Sequence, residues 1–280
     1  MVTAQFSGPY GLPTAFTIGP IHFYMYGLIL GIAGVVFYTL SSNYAKRLGI
    51  AKSLLNPYVY GGVLGGVIGA RIWHVITDWN LYRSQFSAVL HIWEGGASIL
   101  GGIVGMLVGI SVIHRCLRYF GKNTIPLFLV FDLIAIGLPF AQAIGRFANF
   151  INQELYGAPS NLPWAIHIAE RQRVTGYKDV SYFHPLFAYE GIAMMGFGLF
   201  IWLHVRGISK KIGDGTVFYF YLVYYSLLRF LLDFLRIDVR RVALGMSINQ
   251  LVLFASIVFL VSFGVFNVYL KKRHESNKNR

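Results

Sequence analysis

"LFLVFDLIAIGLPFAQAI", residues 127–144, decides the fold, and "GRFANFINQELYG", residues 145–157, follows it directly. The first segment carries a single charged side chain, that of Asp132. Because about 20 apolar residues in a helix cross a hydrocarbon core about 30 Å thick, this segment predicts a membrane span. The second segment holds an arginine, two asparagines and a glutamate, so hydrogen-bonding groups gather at the mouth of an apolar helix.

The rest of the chain has the composition of a membrane protein. Hydrophobic residues make up 56% of its 280 residues and charged residues 12%, whereas charged residues form about 25% of a typical soluble domain. Seven stretches have the length of a span; they lie near residues 21–40, 58–76, 96–113, 125–144, 185–205, 216–235 and 247–270. We therefore predict an all-α integral membrane protein of one domain with seven transmembrane helices.

Lysines and arginines between the spans predict the orientation. Alternate segments hold 14 of them on one side and 7 on the other, and the richer side is cytoplasmic in most membrane proteins. The N-terminus is then outside and the C-terminus cytoplasmic. The long segment 148–184, rich in proline, asparagine and tryptophan, is predicted to form an ordered extracytoplasmic cap between the fourth and fifth helices.

Charge and cysteine content exclude several classes of function. The net charge of +13 agrees with basic loops that face anionic lipid headgroups, so we predict the lipid bilayer as a partner and no nucleic acid. The single cysteine, Cys116, allows no disulfide within the chain. The histidines show no metal-ligand spacing, and we predict no bound metal.

This orientation places most intramembrane polar groups in the outer half of the membrane. They are Tyr26, Arg71, His74, Arg146, Asn149, Glu190, Arg229 and Asp233. An ionised group inside a bilayer costs about 3 kcal/mol or more, so a shared depth predicts a shared site. Arginine binds phosphate through two parallel hydrogen bonds and stays charged, which predicts a receptor for an anionic headgroup.

Each of these residues also has a purely structural interpretation. Arg146 can extend to the interface, Arg229 and Asp233 can form a helix pair four residues apart, and Arg71 can bond to backbone carbonyls. These alternatives stay open at the level of sequence. Convergence of all the groups on one leaflet is what favours a site, because structural charges would scatter in depth.

The polar segment closely resembles the signature of the prolipoprotein diacylglyceryl transferase family. Further matches in order are "IGPIHFYMYG" (18–27), "GAR" (69–71), "WEGGAS" (93–98), "FHPLFAYE" (183–190) and "YYSLLRFLLDFLR" (224–236). The resemblance implies seven spans with the N-terminus outside, in the bacterial cytoplasmic (inner) membrane, with an active site toward the extracytoplasmic leaflet. It also implies transfer of the diacylglyceryl group from phosphatidylglycerol to the lipobox cysteine of a prolipoprotein signal peptide, with no cofactor and no metal.

The resemblance also implies roles for individual residues. Arg146 and Arg229 would hold the phosphate and stabilise the leaving group. The headgroup pocket would be shaped by the rest of the signature, which comprises Asn149, Asn152, Glu154 and Gly157. Orienting or hydrogen-bonding roles would fall to Tyr26, Glu190 and Asp233. Arg71 would make a further phosphate or packing contact, and Arg236 would tie the outer loop to the headgroup layer.

One position departs from the family pattern. Many members have a histidine or a tyrosine two residues after the serine of "GGAS", and this chain has Leu100, which cannot transfer a proton. We hypothesise that His74 or Tyr26 helps to deprotonate the thiol; the alternative is that His74 only packs within its span. Two other functions remain open: a transporter or flippase of an anionic lipid or solute, and an inactive lipid-binding homologue.

Overall fold

The computed structural model describes residues 2–5, 8–83, 86–91, 96, 98–207 and 212–278. Helices α1 to α8 are Met25–Arg47, Lys52–Thr77, Trp79–Tyr82, Ile99–Tyr119, Leu127–Asn152, Leu186–Gly207, Thr216–Leu232 and Ile248–Lys278. Among these residues, seven helices, all but the short α3, are long and apolar enough to cross a membrane. The predicted all-α fold with seven spans is confirmed, and the orientation of the spans stays a prediction.

Short strands and turns connect the helices. Strands β1 to β3 (Val2–Gln5, Ala15–Ile18 and Ile21–Tyr24) form an antiparallel sheet in chain order. Strands β4 (Ile166–His167) and β5 (Tyr182–Phe183) pair with each other, as do β6 (Arg241–Ala243) and β7 (Met246–Ser247). Turns of 3-10 helix lie at Pro9–Gly11, Phe86–Leu90, Glu170–Gln172 and Asp233–Leu235.

The first helix begins later than the sequence predicts. Residues 21–24 were expected to open the first span, but they form β3, in which Ile21 pairs with Ile18 and Tyr24 with Ala15. Gly19 adopts a left-handed φ of 60°, which allows a tight turn between the two strands. The β-branched and aromatic residues of this run suit a strand as well as a span, so their apolar character alone did not decide between them.

The contacts within the chain divide it into two compact units. One, the larger unit, contains Met1–Leu40 and Ile134–Arg280, and the other contains Ser41–Leu133. Each unit has buried apolar residues of its own. The single domain expected from the sequence stays a prediction.

In the Ser41–Leu133 unit, glycines let α2 and α4 approach until their backbones touch. A Cβ atom built on Gly105 of α4 would overlap the carbonyl oxygen of Gly65 in α2, and one on Gly69 would overlap that of Gly101. Small residues at four-residue spacing permit this approach in lipid, where helices associate through close packing. The glycine repeats of the sequence are therefore packing surfaces.

Replacing Gly105 with alanine should destabilise the protein by about 1–3 kcal/mol, because the added methyl group forces the two helices apart. Gly102→Ala is the matched control, since a Cβ there lies 3.7 Å from its nearest neighbours, the Cβ of Ala70 and the carbonyl oxygen of Gly66. Thermal unfolding in detergent micelles measures both variants. Equal melting temperatures for the two variants would contradict the close packing of α2 on α4.

In the larger unit, α5, α6 and α7 pack around a shared apolar core. Ala135 and Met194 are completely buried there, and the ring of Tyr221 lies beside them. The ring of Phe197 in α6 stacks on that of Tyr224 in α7 with centroids 4.0 Å apart. This packing brings the three helices together along the side chains that form the candidate site.

The segment between α5 and α6 has a small core of its own, formed by Tyr156, Ile168 and Phe183. The hydroxyl of Tyr156 donates to the carbonyl of Gln172 at 2.7 Å and accepts from the amide of Val174 at 2.8 Å. Burial raises the pKa of Tyr156 above its ordinary value. The segment has defined hydrogen bonds and packing, and the first residues of the range 148–184 belong to α5. Its role as an extracytoplasmic cap stays a prediction.

Candidate active site

Two arginines from different helices meet on one buried carboxylate. Glu190 of α6 is completely buried. Its Oε1 accepts a hydrogen bond from Nη2 of Arg146 in α5 at 2.5 Å, and its Oε2 accepts one from Nη1 of Arg229 in α7 at 2.7 Å. The structure therefore brings together three of the predicted site residues. Arg229 pairs with Glu190 in this arrangement, not with Asp233 as the helix-pair alternative supposed.

The local packing explains how Arg146 reaches Glu190. Gly191 follows the carboxylate residue directly, and a Cβ built on it would lie 3.4 Å from the Cβ of Arg146 and 3.6 Å from the carbonyl oxygen of Ala143. Helices α5 and α6 are therefore close at this level. The stem of Arg146 lies against the backbone of α6, which directs its guanidinium group toward the neighbouring glutamate.

The cluster of Arg146, Glu190 and Arg229, which we call the arginine cluster, carries one positive charge in excess. The side chains of Arg146 and Arg229 are only 19% and 18% exposed. Among the described residues, none accepts a hydrogen bond from Nε of Arg146, although that atom is buried. A buried donor without an acceptor costs about 1–3 kcal/mol. An anionic ligand would supply both the missing acceptor and the missing negative charge.

The other polar residues of the signature extend the arginine cluster. Oδ1 of Asn149 accepts from Nη1 of Arg146 at 3.0 Å. Oxygens of Glu154 accept from Nδ2 of Asn149 at 3.4 Å and from Nδ2 of Asn152 at 3.1 Å. Gln153 adopts a positive φ of 54°, which turns the chain after α5 and returns Glu154 to the end of that helix. The signature thus forms one hydrogen-bonded chain from Arg146 to Glu154.

Gly157 lies where two segments of the larger unit cross. Its amide donates to the carbonyl of His184 at 2.8 Å, and it forms an isolated β-bridge with Arg236. A Cβ atom on it would lie 3.0 Å from both the Cγ of Leu186 and the carbonyl oxygen of Leu235. Gly157 therefore allows the close crossing that holds the signature against the end of α7.

A polar cavity of about 430 Å³ lies beside the signature. It brings Tyr26, at the start of α1, together with Asn152 and Glu154. The other lining residues are Thr14, Ala15, Tyr24, Gly27 and Gln172. The sequence assigned Tyr24 and its neighbours to a span, so the part of the wall that the β2–β3 hairpin supplies was missed.

Asp233 and Arg236 lie at the end of α7, in contact with each other. Oδ1 of Asp233 accepts from Nη1 of Arg236 at 3.3 Å, and its Oδ2 accepts from Oγ of Ser247 at 2.5 Å. Arg236 also donates twice to Asp238, at 2.9 and 2.7 Å. Burial alone would raise the pKa of Asp238, but these hydrogen bonds and the arginine charge hold that pKa below its usual value.

Arg71, in the Ser41–Leu133 unit, bonds to the loop between α3 and α4. Its guanidinium nitrogens donate to carbonyl oxygens at distances from 2.5 to 3.3 Å. The acceptors are Ala88, Val89, His91 and Gly96. These contacts favour the carbonyl-bonding alternative for Arg71 over a direct phosphate contact.

His74 lies one turn beyond Arg71 in the same unit. Its Nδ1 lies 3.1 Å from Oδ2 of Asp78, and its ring meets that of Tyr82 edge-on with centroids 5.8 Å apart. Gly96 has a φ of 77°, and a Cβ there would collide with both His74 and Arg71. Residues 93–95 and 97 of the "WEGGAS" motif and the side chain of Leu100 lie outside the described residues.

Comparison with known proteins agrees with the sequence signature. The family model of prolipoprotein diacylglyceryl transferase matches residues 13–268. A protein of Trichormus variabilis is 35% identical over 93% of this chain and 91% of its own length. A protein of Synechococcus elongatus is 33% identical over 98% of this chain and 92% of its own length. One of Thermotoga maritima is 33% identical over 90% of this chain and 82% of its own length.

All three relatives carry the name phosphatidylglycerol–prolipoprotein diacylglyceryl transferase. The family model covers nearly the whole chain, and its range includes the signature at residues 145–157 as well as Glu190 and Arg229. The resemblance predicted from the sequence is therefore confirmed, and this chain belongs to the prolipoprotein diacylglyceryl transferase family.

Proposed function

We propose that the protein transfers the diacylglyceryl group of phosphatidylglycerol to the thiol of the lipobox cysteine in a prolipoprotein signal peptide. The names of its relatives support this activity. The observation that carries the proposal in this chain is the meeting of Arg146 and Arg229 on Glu190. A buried cluster with excess positive charge, set among membrane-spanning helices, suits the phosphate of a lipid.

The reaction requires a nucleophile and a stabilised leaving group. The cysteine thiolate attacks the glycerol carbon that carries the phosphate, a carbon–sulfur bond forms, and the carbon–oxygen bond to the phosphate breaks. The bonding electrons stay on the phosphate oxygen, so glycerol phosphate leaves with an additional negative charge. Preorganised cations at that oxygen lower the barrier, and the thiol proton goes to a base.

The neighbouring residues have supporting roles in this proposal. Glu190 holds the two guanidinium groups, and Asn149 directs Arg146 through its hydrogen bond. The cavity beside Tyr26, Asn152 and Glu154 has the polar groups to bind the hydroxyls of the headgroup. Arg71 positions the loop before α4 in the Ser41–Leu133 unit, and Asp233 with Arg236 fixes the end of α7.

The location of the protein is the second part of the proposal. Basic residues concentrate in alternate loops, which supports a cytoplasmic C-terminus and an active site in the extracytoplasmic leaflet of the bacterial inner membrane. The lipid substrate then reaches the arginine cluster laterally from that leaflet. The signal peptide presents its cysteine from the same side.

His74→Ala should lower the transfer rate by about 10²-fold or more if His74 is the base, because a positioned base contributes about 10²–10⁴-fold. The contact between Nδ1 of His74 and Asp78 fixes the ring, as an orienting carboxylate does for other histidine bases. Tyr26→Phe tests the second candidate, and His167→Ala, at an exposed histidine, is the control. An unchanged rate in His74→Ala would remove His74 from consideration and leave it a packing role.

One assay separates the proposed function from its alternatives. Protein in liposomes that contain labelled phosphatidylglycerol is mixed with a lipobox peptide, and the thioether product is measured. Thioether formation supports the transferase. Movement of labelled lipid between leaflets without a thioether would favour a flippase, and lipid binding without either product would indicate an inactive homologue.

A further inference from the structure

Three side chains without a role so far hold the last turn of α7, the turn that carries Arg229. They are Arg241 of β6, Ser247 of β7 and Gln250 in the first turn of α8. We call these three residues the α7 clamp. Sequence reasoning did not select any of them, and Ser247 and Gln250 are 2% and 0% exposed.

Gln250 is the centre of the α7 clamp. Its Oε1 accepts from Nη1 of Arg241 at 2.6 Å and from the amide of Ser247 at 3.0 Å. Its Nε2 donates to the carbonyl of Phe230, the residue after Arg229, at 3.4 Å. A buried amide with this many partners fixes the groups around it, because each lost partner leaves a buried polar atom unsatisfied.

Arg241 binds the 3-10 turn Asp233–Leu235 that ends α7, and the residue after that turn. Its Nη2 donates to the carbonyls of Asp233, Phe234 and Arg236 at 2.9, 3.2 and 3.0 Å. The last carbonyls of a helix have no partner within the helix, and a cation there also suits the negative end of the helix dipole. Arg241 therefore stabilises the point where α7 ends.

Ser247 connects Gln250 to the carboxylate of Asp233. Its Oγ donates to Oδ2 of Asp233 at 2.5 Å and accepts from the amide of Gln250 at 3.1 Å. Together the three side chains bond to Phe230 in α7 and to Asp233, which directly follows α7, one residue and one turn beyond Arg229. The rotation of this turn about the helix axis is fixed from outside the arginine cluster.

That rotation decides where Arg229 points. Each residue of an α-helix turns by about 100°, so a small change at the end of α7 would move the guanidinium group away from Glu190. We propose that Arg241, Ser247 and Gln250 are positioning residues that keep Arg229 on Glu190, opposite Arg146. This inference rests on the proposed function, in which Arg229 stabilises the leaving phosphate.

The test compares Gln250→Leu and Arg241→Gln with variants in which the residue next to each of them is replaced by the same amino acid. Asn249→Leu and Arg240→Gln are the matched controls, because both residues are exposed. We expect kcat of the two clamp variants to fall about 10–100-fold, since a displacement of about 1 Å can cost 100-fold in rate. The KM for phosphatidylglycerol should change much less, and the controls should keep the wild-type rate.

Ser247→Ala provides a milder variant in case the others unfold. It removes the hydrogen bond to Asp233, and we expect kcat to fall about fivefold, the effect of about one hydrogen bond. The residual rate of Arg229→Ala, which has no cation to position, serves as a reference, and Ser247→Ala should cause no further loss in that background. A melting curve in detergent gives the folded fraction for every variant.

Two results would overturn the inference. One is a lower melting temperature in the clamp variants with an unchanged kcat per folded molecule, which would give the α7 clamp only a structural role. The other is an equal loss of rate from Ser247→Ala with Arg229 present and with Arg229→Ala. Failure of the proposed function looks different, because the wild-type protein itself would then form no thioether.

Discussion

Arg146→Ala and Arg229→Ala should each reduce diacylglyceryl transfer by at least about 10²–10³-fold, because each removes a preorganised donor from the departing phosphate. The two guanidinium groups share Glu190. When one arginine is replaced, the carboxylate of Glu190 therefore neutralises the charge of the arginine that remains. The remaining pair then has no excess positive charge for the phosphate. Either single change should therefore remove most of the activity.

Lysine at either position tests the geometry as well as the charge. A lysine keeps the positive charge but lacks the fork that binds two oxygens at once, so Arg146→Lys and Arg229→Lys should recover only part of the rate. Arg171→Ala, at an exposed arginine of the segment between α5 and α6, is the control. Initial rates of thioether formation at saturating lipid, normalised to folded protein, measure the effect. Wild-type rates in both alanine variants would contradict the assigned roles.

Glu190→Gln should lower both stability and activity. Breaking a buried ion pair by removing one partner costs about 3–5 kcal/mol, because an uncompensated charge remains in a low-dielectric site. Here the neutral amide would leave two guanidinium groups facing each other without a counter-charge. Glu170→Gln, at an exposed glutamate, is the matched control and should melt at the wild-type temperature.

The Glu190→Gln variant also tests whether the lipid phosphate binds at the arginine cluster. Phosphatidylglycerol should raise the melting temperature of Glu190→Gln more than that of the wild type, because the lipid phosphate replaces the lost negative charge. A neutral lipid of the same chain length should raise neither. Equal shifts for the variant and the wild type would mean that the phosphate does not contact this cluster.

The spans and the shared level of the three cluster residues could be predicted from the sequence, since both follow from the lengths and positions of the apolar runs; the orientation of the spans stays a prediction. Arg146, Glu190 and Arg229 were placed at one level in this way, and the structure joins them through a shared carboxylate. Their pairing was not predictable, because depth says nothing about which face of each helix a side chain occupies. For Arg146 and Glu190, the close packing of α5 on α6 at Gly191 decides that.

Local structure at the ends of the spans was harder to predict. The residues from Ile21 to Tyr24 are compatible with a strand as well as with a membrane span. The β2–β3 hairpin and its contribution to the polar cavity were therefore missed. For Arg71 the sequence left a phosphate contact and bonding to backbone carbonyls as alternatives, because the loop carbonyls that it binds have no sequence pattern. The only sequence feature that distinguishes Gln250 is its polar amide at the start of an apolar helix, which is a weak indication of a role.

A structure of the protein with bound phosphatidylglycerol tests the central claim most directly. We predict the phosphate within about 2.7–2.9 Å of guanidinium nitrogens from both Arg146 and Arg229, the range of charge-assisted hydrogen bonds. The Nε of Arg146 should then have an acceptor. A phosphate bound elsewhere, with both guanidinium groups still bonded only to Glu190 and Asn149, would contradict the account.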